Sequence, residues 1–304
     1  MDTTITAGRA QARGWRAVYL PVQSIPYWGL HLGAAYGIYA LGVSWSALGW
    51  TAAMYAVRMF FITGVYHRYF SHRTYKTSRW FQFVLAFCAQ ATAQKGVLWW
   101  AGHHRRHHKH SDTELDVHSP LFGGFWWSHM GWMIGRDFEG TDQVVVKDFM
   151  KYPELRALER FWFILPVAIG VTSFLIGGWW GLTFAFALPQ VLSWHGTFTI
   201  NSLSHVWGGR RYASGDDSRN NPVLALITLG EGWHNNHHHY QSSARQGFFW
   251  WEVDITFYGL KALEAVGLIW DVRGVPAHVR DATLSASPPR DADVDERVIE
   301  KHAA

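Results

Sequence analysis

A single cysteine, Cys88, stands among the 304 residues, so the chain can build neither a disulfide framework nor a thiolate metal site. Any metal must therefore be held by histidine or carboxylate. Charge is sparse as well: Asp, Glu, Lys and Arg make up 16% and the net charge is +4, too little for a nucleic-acid surface. The opening stretch MDTTITAGRAQARGW has no apolar run and no small-residue cleavage pattern, so a cleaved secretory signal is not expected. No internal repeat is visible. What the chain does hold is 19 Trp, 18 His and 49% hydrophobic residues, yet its mean hydropathy is −0.07, so only part of it can lie in lipid.

Apolar runs of spanning length fall at about 27–45, 47–66, 161–178 and 182–203, each near the ~20 residues that cross a bilayer core. They predict an all-α integral membrane protein: four transmembrane helices in two hairpins, with a cytoplasmic helical cap carrying a metal site. The links Ser46-Ala47 and Gly178-Trp179-Trp180-Gly181 are too short for anything but tight antiparallel turns. Both termini and the middle loop then share one face. That face carries Arg9, Arg13, Arg16, Arg68, Arg73, Lys76, Arg79, Arg105, Arg106 and Lys109, and the hairpin tips carry no Lys or Arg, which makes it cytoplasmic, at the inner membrane if the cell is bacterial. Arg58, inside the second run, must snorkel or be buried against a partner. The stretch Phe81 to Ala93 reads as an interfacial helix. The expected organisation is an N-terminal cytoplasmic segment 1–26, a main domain 27–275, and a polar, disordered tail 276–304.

Three histidine clusters dominate the water-side segments: HRYFSH at 67–72, HHRRHHKH at 103–110 and HNNHHH at 234–239. On a helix, the i, i+3, i+4 spacing of His104, His107 and His108 puts three imidazoles on one face, and His234, His237 and His238 repeat it. His67 and His72 approach from a helix end leaving the bilayer, and Asn201 and His205 share a face at the end of the fourth run. Imidazole suits Fe, Zn, Cu and Ni alike, so ligand type does not choose the metal. Nine imidazoles exceed the need of one tetrahedral zinc and fit two metals of higher coordination number. The Glu-x-x-His pattern of carboxylate-bridged di-iron bundles is missing, and Glu231 alone cannot supply it.

In order and spacing, HRYFSH, HRRHH, NSLSH and GEGWHNNHH resemble the histidine boxes of the membrane-bound fatty acid desaturases, within them the Δ9 acyl-CoA desaturase branch, over most of residues 25–275. The resemblance implies two Fe ions held by His67, His72, His104, His107, His108, His205, His234, His237 and His238, with Asn201 reaching one metal through water. It implies a bent apolar tunnel for the acyl chain flanked by Gln94, Trp100 and Thr197, with Lys95 near the head group. The resemblance implies a long-chain acyl-CoA as the favoured substrate, and Arg73, Lys76, Arg79 and Lys95 are candidates to meet its anionic thioester head group, with the positive-inside bias as their other reading. His103, His110 and His239 fall outside the motif and read as solvated or supporting. His118 and His129 read as hydrogen-bond partners of ligands, and His31, His195, His278 and His302 as structural or surface residues. O2-dependent desaturation needs electrons, and no haem motif, nucleotide fingerprint or cysteine set is present. A separate donor is therefore implied, such as ferredoxin, rubredoxin or cytochrome b5 with a reductase, docking on Arg105, Arg106 and Lys109.

Two other readings stay open on the residues alone. A lipid hydroxylase or acetylenase would share the same ligands. A membrane protein that stores or transports metal would instead string its ligands along a path inside the spans.

Overall fold

A computed structural model describes residues 24–135, 138 and 140–282. Arg9, Arg13, Arg16, His302 and the tail from 283 onward lie outside it. Helix α1 (Ile25–Leu41) opens with Pro26 in its first turn, where a missing N–H leaves no bond unmade. It stops at Gly42, and the Ser44 side chain accepts the Ala47 N–H at 3.2 Å to cap α2 (Trp45–Phe60). The first reversal is thus Gly42–Ser44 rather than Ser46-Ala47, because Ser44 satisfies an orphan helix donor and the later pair is already helical. Helix α2 runs unbroken into a π-helix, π1 (Phe61–Ser71), for 27 residues in all, past the expected end at 66.

Beyond β1 (Lys76–Thr77), α3 (Arg79–Gln90) buries Leu85, Ala86 and Ala89 and exposes Trp80, Phe83 and Phe87 on its other face. Then come α4 (Val97–His110), α5 (Pro120–Gly123), π2 (Trp127–Gly131), α6 (Trp132–Ile134), α7 (Lys147–Met150) and α8 (Pro153–Arg160). Helix α9 (Ile164–Gly181), π3 (Leu182–Ala187) and α10 (Leu188–Ser202) follow, with a 3₁₀ turn (Leu203–His205) after them. This run of 42 residues would be about 63 Å long if straight, twice a bilayer core. It is not straight. Gly178, at φ 58° and ψ −148°, turns the chain back, and π3 packs along α9. The remaining elements are α11 (Pro222–Ile227), α12 (His234–His239), α13 (Ile255–Ala265), β2 (Ile269–Trp270) and α14 (Ala277–Arg280).

The fold is mostly helical, with a two-residue antiparallel pairing of β1 and β2 and isolated bridges at Asn220 added to the all-α expectation. Two helical runs among the described residues, Trp45–Ser71 and Ile164–His205, are long and apolar enough to cross a membrane. Their outward side chains are apolar, Leu175 and Ile176 among them. Helices α1 and α2 pack chiefly on π3 and α10, less on each other, so the first pair is held by the second. Arg58 does not snorkel. It is buried, giving Nε–H to Gln190 Oε1 at 3.2 Å and NH1 to the Met54 carbonyl at 3.1 Å, over the Phe186 ring. The start of the expected tail is ordered as α14, because Tyr212 gives its hydroxyl proton to the Arg280 carbonyl at 2.6 Å. The main apolar core lies between π1, α3 and α4, with Val65, Tyr66, Phe70, Leu98 and Ala101 in it. Two of the histidine clusters rest on that core.

Candidate metal centre

The π-helix explains the first cluster. In an α-helix, residues five apart point about 140° away from each other. In a π-helix the i→i+5 hydrogen bond stacks them. His72 donates its N–H to the His67 carbonyl at 3.2 Å, and both rings face the same site. Helix α4 carries the second cluster, its N-terminus held by Glu159, whose carboxylate accepts the N–H groups of Leu98 and Trp99 at 3.0 Å each. Helix α12 carries the third, and its two asparagines point away from the imidazoles. Asn235 Oδ1 accepts the N–H of Arg211 and of Tyr212, and Asn236 Nδ2 donates to Glu252 Oε2 at 2.8 Å. Ahead of α12, Gly232 passes so close to α11 that a Cβ would sit 2.0 Å from the Ala225 nitrogen. Only glycine fits there.

These elements bring all nine expected histidines together, in two groups. One contains His67, His72, His104, His108 and His237; the other contains His107, His205, His234 and His238. Each of α4 and α12 serves both groups, so the three imidazoles on one helical face part between two positions. The Nε2 atoms of His67 and His237, His72 and His104, His104 and His108, His108 and His237, and His205 and His234 are 2.9–3.2 Å apart. Neighbouring ligands at right angles around an ion bound at about 2.1 Å stand about 3 Å apart.

Carboxylates decide the tautomers. Nδ1 of His205 lies 2.7 Å from Asp112, that of His238 2.6 Å from Asp216, that of His107 3.0 Å from Asp116 and that of His67 2.5 Å from Glu231. With the proton on Nδ1, each Nε2 presents a lone pair inward. Lone pairs facing one another in a buried site repel unless a cation lies among them, and buried His238 Nε2 has no hydrogen-bond partner. The donor set thus fits metal. Burial and mutual repulsion hold His72, His104, His108, His234 and His237 well below the usual histidine range, so all are neutral at neutral pH. Burial is the largest single influence on Asp112 and would raise it, but the hydrogen bond and charge of His205, with the Asp217 N–H and the Ser119 hydroxyl, together lower the carboxyl to about 2. Arg68 backs Glu231 at 3.0 Å and Asp254 at 2.9 Å, fully buried.

Asp112, Asp116, Asp216 and Glu231 were not assigned roles from sequence. Their signal was proximity: two follow the second cluster within HSDTELDVH, and one precedes the third in GEGWH. The other histidines sort differently than expected. His103 is buried, not solvated, with Nδ1 on the Trp99 carbonyl at 3.0 Å. His239 stacks on Tyr212, and His118 lies against the His107 ring and 3.8 Å from Asp116. His129 bonds Ser202 and His195, with no bond to a member of either group. Arg105 is tied to Asp148 and to the Phe70 and Ser71 carbonyls, and Arg106 faces Asp142 at 3.6 Å, so these two brace the fold.

The residues expected along the acyl chain meet beside the first group. Trp100 Nε1–H donates to Gln94 Oε1 at 3.1 Å, and Gln94 Nε2–H donates to Thr197 Oγ1 at 2.9 Å. All three line a cavity together with His104, Asn201 and Trp132. Lys95 sits just outside, its Nζ 4.5 Å over the Trp99 ring.

Comparison with known proteins points to one family. Residues 44–265 match the fatty acid desaturase family. The chain is 36% identical over 263 residues to an sn-1 stearoyl-lipid 9-desaturase of Anabaena variabilis, covering 83% of this chain and 93% of the relative. It is 36% identical over 241 residues to an sn-2 palmitoyl-lipid 9-desaturase of Nostoc sp. (strain 36), covering 77% and 84%. Over 251 residues it is 35% identical to an icosanoyl-CoA 5-desaturase of Limnanthes douglasii, covering 81% and 68%. With histidine clusters able to hold metal and relatives of this kind, the chain belongs to the fatty acid desaturase family and is an oxidoreductase.

Proposed function

We propose that this chain performs O2-dependent desaturation of a long-chain fatty acyl substrate, Δ9-type with a cis product, at a histidine-held pair of iron ions. The observation that carries the reading is the pair of converging imidazole groups, backed by carboxylates, beside the cavity edged by Trp100, Gln94 and Thr197. His67, His72, His104, His108 and His237 would hold one ion and His107, His205, His234 and His238 the other, with Asn201 reaching one of them through water. When bound, the two ions supply O2 activation and hydrogen removal from adjacent methylenes. The protein's own work is positional. Asp112, Asp116, Asp216 and Glu231 keep the lone pairs aimed inward. The Trp100–Gln94–Thr197 hydrogen bonds stiffen one wall so that a single C–C pair stops beside His104. Trp99 and Trp132, stacked at 5.8 Å, add an aromatic wall to the cavity.

The surrounding arrangement is four spans, α1, α2 with π1, α9, and π3 with α10, with the histidines at the cytoplasmic face. Electrons come from a separate protein, such as ferredoxin, rubredoxin or cytochrome b5 with its reductase. A coenzyme A head group would call on Arg73, Lys76, Arg79 and Lys95. Three of these already face carboxylates: Arg73 with Asp148 at 3.1 Å, Lys76 with Asp271 and Arg79 with Glu154, both at 2.7 Å. That pairing, and two relatives named for lipid-bound substrates, favour a lipid-linked acyl chain as the second reading of the carrier.

Fatty acid profiling of a desaturase-deficient host tests the proposal. Expression should yield acyl chains lacking two hydrogens, and the His107→Ala control should yield none. Chains that gain an oxygen instead would assign hydroxylation. One bound zinc and no iron in the purified protein would sink the reading.

A further inference from the structure

Outside both nitrogen groups, three more histidines form a continuous hydrogen-bonded chain. His31 Nδ1 meets the Tyr27 carbonyl at 2.7 Å, and His31 Nε2 meets His195 Nε2 at 2.9 Å. His195 Nδ1 meets His129 Nε2 at 2.9 Å, and His129 Nδ1 meets Ser202 Oγ at 3.0 Å. A metal site takes one nitrogen per ring and aims all of them at one point. Here His195 and His129 each use both nitrogens, on opposite sides, so the rings form a line. The line joins α1, α10 and π2, and ionisable groups at this depth in a membrane protein call for a function.

Its ends are informative. His31 is half-buried one turn from the exposed Trp28, near the start of α1. Ser202 is buried between Asn201, which lines the cavity beside His104, and the 3₁₀ turn that carries His205. Aromatic rings sheathe the line: Tyr27 stacks on Trp194, Phe125 on His129, and Phe198 lies edge-on to His195. Within that sheath the imidazoles supply the polar route.

Desaturation needs such a route. Converting –CH2–CH2– and O2 to –CH=CH– and two waters consumes two electrons from the donor and two protons from solvent. We propose that His31, His195 and His129 relay those protons from the α1 end, through Ser202, to the cavity beside the metal centre; the inference rests on the desaturase reading. The loaded line carries its extra proton on His31, which donates from both nitrogens, to the Tyr27 carbonyl and to His195. On discharge one proton crosses each link: His31 Nε2 to His195 Nε2, His195 Nδ1 to His129 Nε2, and His129 Nδ1 to Ser202 Oγ. The Ser202 hydroxyl proton passes to water at the cavity edge beside Asn201, the neighbour of Ser202 that lines the cavity. One positive charge has moved inward and three neutral rings remain, each with a single hydrogen pointing toward Tyr27; the line reloads when His195 and His129 return their hydrogens to Nδ1 and His31 takes a solvent proton at Nε2. The Phe198 carbonyl, 2.9 Å from Ser202 Oγ, receives the serine hydrogen whenever His129 is the donor, so every link is satisfied in both states.

His195→Gln tests the relay, because glutamine keeps hydrogen bonds but cannot pass a proton this way. Turnover should fall on the order of a hundredfold, with KM for the acyl substrate and bound metal unchanged, and added imidazole should restore turnover to His195→Ala. In metal-free protein carrying ¹⁵N-labelled histidine, His195→Gln should shift the ring signals of both His31 and His129. An active parent with unchanged turnover in His195→Gln, a loss that tracks loss of metal, or ring signals that do not respond overturns the relay alone. A parent that forms no double bond removes the desaturase reading and the relay with it.

Discussion

At the scale of single residues, four of the nine imidazoles, those of His67, His107, His205 and His238, have their outer nitrogen committed to a carboxylate. A carboxylate on Nδ1 fixes the tautomer and holds the ring in place before any metal arrives, which lowers the entropy lost on binding. Asp216 shows the effect most simply, since it holds His238 Nδ1 while Ser214 and Ser218 donate to its other oxygen. Asp216→Asn replaces an acceptor by an amide that can donate, so His238 turns its lone pair outward. Metal affinity should drop by about 10–100-fold, measured by competition with a chelator, while the melting of the metal-free protein stays close to the parent. Affinity equal to the parent would show that the carboxylate does not set the tautomer. The histidines were legible in the sequence because they repeat at helical spacing. Their carboxylates were not, because a pair such as Asp112 and His205 is 93 positions apart and nothing local marks it.

At the scale of elements, two features do most of the positioning. The π-helix at the end of α2 makes H-x4-H a same-face pair, which the sequence reading placed only loosely at a helix end. Propensity does not separate a π turn from an α turn, and here the contacts of buried Arg68 and Tyr66 hold it. The second feature is the crossing of the GEGW segment over α11. Gly232→Ala would press a methyl into the backbone of α11, 2.0 Å from the Ala225 nitrogen and 2.6 Å from the Asn221 oxygen. Neither neighbour is a flexible side-chain end, so α12 must shift with its three histidines. Stability should fall by about 1–3 kcal/mol or more, with sub-stoichiometric metal, read by thermal melting in detergent and metal analysis. A variant with parental melting and full metal content would contradict the close approach.

At the scale of the whole molecule, the proposed arrangement is one apolar bundle whose water-side end carries the histidine groups. The reversals at Gly42–Ser44 and Gly178 should lie across the bilayer from the α7–α8 turn. The lone cysteine makes this simple to test. In a Cys88→Ser background, Val43→Cys and Gly177→Cys should react with an impermeant thiol reagent added from outside. Lys151→Cys should react only after the membrane is opened. The opposite pattern would invert the proposed sidedness. Several cations that looked like topology signals, Arg68, Arg73, Lys76, Arg79 and Arg105, turn out to hold carboxylates as well, so they fix tertiary contacts besides any bias toward the cytoplasm.

What the sequence determined by itself was periodic or compositional. Apolar runs of spanning length, short links between them and histidines at i, i+3, i+4 are local patterns, and local geometry converts them directly into helices, reversals and ligand faces. What only the tertiary structure decided depends on residues far apart in the chain. It parts each ligand-bearing helix between two nitrogen groups, backs four histidines with carboxylates, buries Arg58 and Arg68 on named partners, and lines up His31, His195 and His129 into one chain of hydrogen bonds. Hydrogen bonds and ion pairs form where the packed backbone brings two groups within about 3 Å, and that distance is set by the fold as a whole, not by spacing along the chain.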